Sequence, residues 1–114
     1  MIKDYQLLLD EVKNTVLPMG FMLIKNDDFE AVFSNDDGWL ISFEGERYVR
    51  PAFDLVVGIN DLSFSTRLLM EVFDVNEKPS LTAQLDFIAK NYKNIFVFPP
   101  PYAKAYEKLN EVDI

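Results

Sequence analysis

The residues most able to do chemistry in this chain are carboxylates. Between Asn26 and Glu46 there are seven of them, Asp27, Asp28, Glu30, Asp36, Asp37, Glu44 and Glu46, with no Lys or Arg in the same stretch. Two nearby carboxyls can act as acid and nucleophile in glycoside hydrolysis, and the pairs to consider are Glu44 with Glu46 or Glu30 with Glu44. No sugar-binding cleft is legible around them, and a one-signed run reads first as a solvated face. Asp36-Asp37-Gly38 looks like a fragment of a calcium loop. A calcium loop, however, alternates its acids and closes with a Glu at the twelfth position, and neither condition holds. Asp27-Asp28 and Asn35-Asp36-Asp37-Gly38 fit turn chemistry instead, because Asx side chains bond their own backbone. No metal or cofactor is expected.

The rest of the usual catalytic inventory is missing. There is no Cys and no His. Disulfides, thiolate metal sites, cysteine nucleophiles, Ser-His-Asp triads and most zinc sites go with them. The four glycines form no phosphate loop, and the basic residues are too few and scattered for nucleic acid. Arg47, Tyr48, Arg50 and Asp54 make a possible interaction patch, Arg and Tyr being common anchors. The alternative is a solvated sheet face with routine opposite charges. Pro99-Pro100-Pro101-Tyr102 matches a Pro-Pro-x-Tyr ligand, but it also reads as a rigid lead-in to a helix.

Charge points to a class of partner. The 114 residues carry a net charge of -8, most of it in the acidic run. Such a localised field repels nucleic acid and anionic membrane and attracts basic protein surfaces. A hydrophobic content of 49%, with ten Phe, five Tyr and one Trp, implies a folded chain. No signal peptide and no membrane span is legible, so the expected compartment is the cytoplasm.

These residues need elements to position them. Tyr5, Leu8, Leu9, Val12 and Val16 predict an amphipathic helix over about 3–16, ended by Pro18 and Gly20. Four extended segments follow: Phe21 to Ile24, Phe29 to Ser34, Trp39 to Glu44, and a long run from Tyr48 to Ile59. Beyond Asn60 the period turns helical. Asp61 or Ser63 caps a helix with Phe64, Leu68, Leu69, Val72 and Phe73. Ser80 caps another, with Leu81, Leu85, Ile88, Ala89 and Tyr92 inward. Ile95 to Phe98 is a short buried strand or a crossing segment, and a last helix runs from Tyr102 to about Val112. Strands together and helices apart predict one α+β domain over 1–114, a four-stranded antiparallel meander with its helices on one face.

Register follows from side-chain parity. A three-residue loop, Gly45-Glu46-Arg47, pairs Glu44 with Tyr48. Trp39, Ile41, Phe43, Val49, Phe53, Leu55 and Val57 then share one face, while Tyr48, Arg50 and Asp54 face away. Trp39, Phe43, Phe53 and Leu55 are the expected core of this face.

In general plan the chain resembles the small acidic immunity proteins that bacteria pair with polymorphic or contact-dependent toxins. The features concerned are the N-terminal helix, the meander from Phe29-Glu30-Ala31-Val32-Phe33 to Trp39-Leu40-Ile41-Ser42-Phe43, the Arg47 to Pro51 segment and the closing helices. The resemblance implies a non-enzymatic protein that binds a basic toxin domain, often a nuclease, and blocks it. A second resemblance is to secretion chaperones of the type III class, or another cytoplasmic adaptor. Those carry further strands late in the chain, for which only Ile95 to Phe98 is available. A small carboxylate-dependent enzyme is the third reading. On the first reading the contact residues are Asp27, Asp28, Glu30, Asp36, Asp37, Glu44, Glu46, Tyr48, Arg50 and Asp54.

Overall fold

The computed structural model describes residues 1–46 and 52–112. Helix α1 spans Lys3–Val16, and a short 3-10 turn, Leu17–Met19, ends it. Tyr5, Leu9, Val12 and Val16 are buried along one stripe of α1, as the spacing predicts, with Leu8 packed partly beside them. Gly20 stops the helix with φ of 95°, a left-handed value that costs glycine little. Phe21 N–H then bonds back to Val16 O, and the chain turns into the sheet.

The sheet has five strands in the order β1 Met22–Asn26, β2 Glu30–Ser34, β3 Trp39–Gly45, β4 Phe53–Ile59 and β5 Leu62–Ser65. Every neighbouring pair is antiparallel. The fifth strand corrects the expectation of four. Phe64 lies in β5, buried opposite Val57, and does not open a helix. The physical reason is the two-residue turn Asn60-Asp61. Asn60 takes φ of 55°, which reverses the chain so that Ile59 faces Leu62. Asp61 and Ser63 therefore cap nothing, and α2 begins later, at Thr66–Val72.

Helices α3, Leu81–Lys90, α4, Tyr92–Ile95, and α5, Ala103–Val112, complete the chain. Ser80 is the expected cap of α3, its Oγ accepting from Ala83 N–H at 3.1 Å. Leu81, Leu85 and Ile88 point inward, whereas Ala89 and Tyr92 are exposed. Phe87 and Gln84 occupy the inward face in their place. Residues 95–98 are not a strand: Ile95 closes α4, and Phe96 crosses over Phe21, Trp39 and Tyr92. Pro100 and Tyr102 are buried, and Tyr102 hydroxyl donates to Ile95 O at 2.8 Å. The Pro-Pro-x-Tyr motif is thus a docked lead-in, and burial pushes the Tyr102 phenol pKa up.

The core lies between the helices and one sheet face, where Ala31, Phe33, Trp39, Ile41, Phe43, Leu55, Val57 and Phe64 are buried. Phe53 is the exception among the expected core residues. It is half-buried at the sheet end, stacked on Phe43 at 5.8 Å. The β3–β4 register also differs from expectation. Glu44 faces Asp54, not Tyr48, and Gly45 faces Phe53. Among the described residues β4 spans Phe53–Ile59, and the part of the expected run from Tyr48 to Pro51 lies outside them. The displacement from position 48 to 54 is even, so the division of side chains between faces survives it.

Candidate functional site

The open face of the sheet carries the candidate site. Reading across the strands, Met22, Ser34, Leu40, Gly58 and Ser63 form one row, and Lys25, Val32, Ser42, Val56 and Ser65 the next. A third row, on the three middle strands, is Glu30, Glu44 and Asp54. The face is thus a strip of small and aliphatic side chains ending in three adjacent carboxylates. Val32, Leu40 and Val56 are half-exposed, whereas their alternating neighbours are buried in the core.

Like charges directly opposite one another across a ladder repel. Glu44 sits in the middle of the row. Partial burial, then the neighbouring Glu30 carboxylate and then Asp54, hold its carboxyl above the ordinary range. Glu30 is better compensated: Lys25 Nζ lies 2.6 Å from Glu30 Oε1 and 3.8 Å from Asp27 Oδ2. This corrects the expectation of a run without countercharge. The cation comes from the residue just before the run, brought alongside by the β1–β2 hairpin. Glu44 and Asp54 make no ion pair among the described residues.

The seven-carboxylate run does not form one surface. The β1–β2 and β3–β4 connections lie at one end of the sheet, with Asp27, Asp28, Glu30, Glu44, Glu46 and Asp54. The β2–β3 turn, with Asp36 and Asp37, lies at the other, roughly 20 Å away along a strand of this length. Asp27 is turn chemistry: its Oδ1 accepts from Phe29 N–H at 3.0 Å and Glu30 N–H at 2.8 Å. These bonds, with Lys25 adding to them, hold its carboxyl below the usual range. Asn35 Oδ1 does the same for the second turn, accepting from Asp37 N–H and Trp39 N–H. Among the described residues, no group of three or more acids is arranged to hold a metal ion.

Tyr48 and Arg50, with Arg47, lie outside the described residues. Tyr5 hydroxyl, reaching from α1, donates its single proton chiefly to Glu46 O at 2.6 Å, with Ala52 O sharing it at 3.1 Å. Its ring lies over Gly45, where a Cβ would come within 2.7 Å of the ring carbons. Sequence reasoning missed this clamp. The available signal was a tyrosine, not a leucine, on the apolar stripe of α1, since a buried phenol needs a polar partner.

Two grooves, of about 680 and 580 Å³, open among the helices and include none of these carboxylates. Lys93 and Asn94 on α4 border both. The carboxylate row lies outside both grooves, with Glu44 and Asp54 exposed and Glu30 half-buried, an arrangement suited to holding a cationic group. No helix among the described residues is long and apolar enough to cross a membrane. Comparison with known protein families, curated proteins and solved structures finds no match to this chain.

Proposed function

We propose that this chain is a non-enzymatic binding module, an immunity protein that neutralises a basic toxin domain, such as a nuclease, in the cytoplasm. The observation that carries the reading is the uncovered sheet face ending in Glu30, Glu44 and Asp54, three carboxylates in one cross-strand row. Like-charge repulsion there opposes folding, and a cationic side chain of a partner relieves it. The aliphatic strip beside the row supplies the water-excluding contact that fixes such a pair. On this reading Asp27 belongs to the turn, and Asp36 and Asp37, at the other end of the strands, stand apart from the row that anchors the contact. The chaperone reading is weaker, because residues 95–98 supply no late strand.

The test is capture from the native host followed by rescue. The tagged chain should retain a basic protein whose toxicity on expression is relieved by this chain. Glu44→Lys/Asp54→Lys should lose both capture and rescue while staying folded. A partner held equally well by that variant, or one without toxicity, contradicts the proposal.

A further inference from the structure

The acidic run has a counterpart of opposite sign. The longest stretch of the chain without Asp or Glu runs from Phe87 to Tyr106 and carries Lys90, Lys93 and Lys104. The next longest, Val12 to Asn26, carries Lys13 and Lys25. The fold brings the two stretches together: Met19 from one and Tyr92 from the other line the groove of about 680 Å³. Phe73, Val97 and Tyr102 line the groove of about 580 Å³. No acid lines either groove, although the chain has 19. Lys93 and Asn94 are the two residues that both grooves share, so they form the ridge between them. Lys90 is held by Asp86 at 2.8 Å, whereas Lys93 makes no ion pair among the described residues. Nor does the Asn94 side chain make a hydrogen bond among them. The second groove is held in shape from within. Tyr102 hydroxyl ties it to Ile95 O at the end of α4, and the Tyr102 ring packs on Phe73 at 5.8 Å. Apolar surface continues past its rim, with Phe98 56% exposed.

We infer that this ridge is a second interaction surface, and that its occupant is an extended acidic segment of a partner protein. The charge and shape of the ridge select that occupant. An apolar groove on each side calls for two apolar anchors, and the unpaired Lys93 between them calls for an anion. A ridge one helix wide is about 10 Å across. Extended chain covers that distance in about three residues, so the anchors stand three apart with the carboxylates between them. The Asn94 amide then pairs with the backbone of the segment. The net charge of -8 does not decide the local sign. Charges beyond about 8 Å are largely screened at physiological salt, and the residues lining the grooves include cations and no acid. The carboxylate row and this ridge therefore select segments of opposite charge, and the inference does not depend on the immunity reading.

The experiment is an NMR titration of the full chain with a synthetic peptide whose core is Phe-Asp-Asp-Leu. Amide signals from Tyr92 to Val97 should move, and those of Glu30, Glu44 and Asp54 should not. An analogue with the core Phe-Lys-Lys-Leu should bind the ridge about tenfold or more weakly, because like charges then meet at Lys93. Lys93→Glu should reverse the preference, losing the acidic peptide and gaining the Lys analogue at the same signals. Lys3→Glu makes the same change of net charge at the exposed start of α1 and should leave the preference as it is. No movement of the ridge signals at millimolar peptide overturns the inference. Equal binding of the two peptides, or an unchanged preference in Lys93→Glu, overturns it as well. Equal movement with dodecanoate in place of the peptide also overturns it, since the occupant is then a small amphiphile and not a protein segment.

Discussion

Strand β3 presents two unlike faces. Toward the helices it places Trp39, Ile41 and Phe43, all buried; toward the outside it places Leu40, Ser42 and Glu44. The covered face is built for stability, with aromatic rings in edge and stacked contact. The open face works against stability at one end, where the chain places Glu44 between two other acids. The proposed function rests on this contrast, because a partner's cation placed at the row would relieve the repulsion. The contrast teaches that burial pattern and charge pattern carry different information. The first locates the core, and the second locates the surface only after register is known.

The largest way to break the comparison is in the covered face. Phe43→Ala should cost about 3–5 kcal/mol, read as a shift in denaturation midpoint, because it empties a fully buried ring site. Phe53→Ala should cost less, about 1–2 kcal/mol, since its ring is half-buried. Gly45→Ala comes between, at about 1–3 kcal/mol. Its new Cβ would displace the Tyr5 ring and with it the hydroxyl that joins Glu46 and Ala52. Tyr5→Phe isolates the second part of that effect and should cost about 1 kcal/mol.

Within the carboxylate row, substitution of Glu44 should act in the opposite sense. The Glu44 pKa is raised on folding, so its protonated form favours the native state. That contribution is present below the unfolded pKa and is lost as pH rises through the folded one. Glu44→Gln should therefore raise the melting temperature at neutral pH, and the gain should vanish as acid protonates the parent. Asp27 has the reverse sign. Its depressed pKa gives stability above the unfolded value that disappears as pH falls through the folded one. The smallest effect is expected at Lys25→Met, where an exposed ion pair is removed. It should destabilise slightly at low salt and not at high salt.

Much of this was legible in the sequence, for identifiable reasons. The α1 stripe, the Ser80 cap and the alternation in β2 and β3 are local patterns, and each appears where spacing places it. The face assignment of Phe43, Leu55 and Asp54 was legible because parity is insensitive to an even shift. For the same reason parity could not fix the β3–β4 register, and Glu44 was paired with Tyr48 and not with Asp54. Strand β5 was hidden because Phe64 and Leu68 share a helical spacing, while the turn at Asn60 depends on a backbone angle that spacing does not report. The acidic run gave the positions of the carboxylates along the chain but not their arrangement in space. Adjacency in sequence joined Asp36 and Asp37 to Glu44, and the meander separates them by the length of a strand. Asp54, outside the run, is brought into the row by pairing.

The central claim is that one end of the open face, and not acidity in general, recognises a basic partner. The direct measurement is the association rate with the captured toxin domain for two charge-matched variants at low and high salt. Glu44→Lys/Asp54→Lys reverses the row, and Asp36→Lys/Asp37→Lys reverses the same charge at the far end. The account predicts that the first variant loses most of the rate and most of its salt dependence. The second should keep near-parental binding, with only the modest slowing expected from a change in net charge. Equal losses in the two variants, or a parental rate in the first, would contradict it.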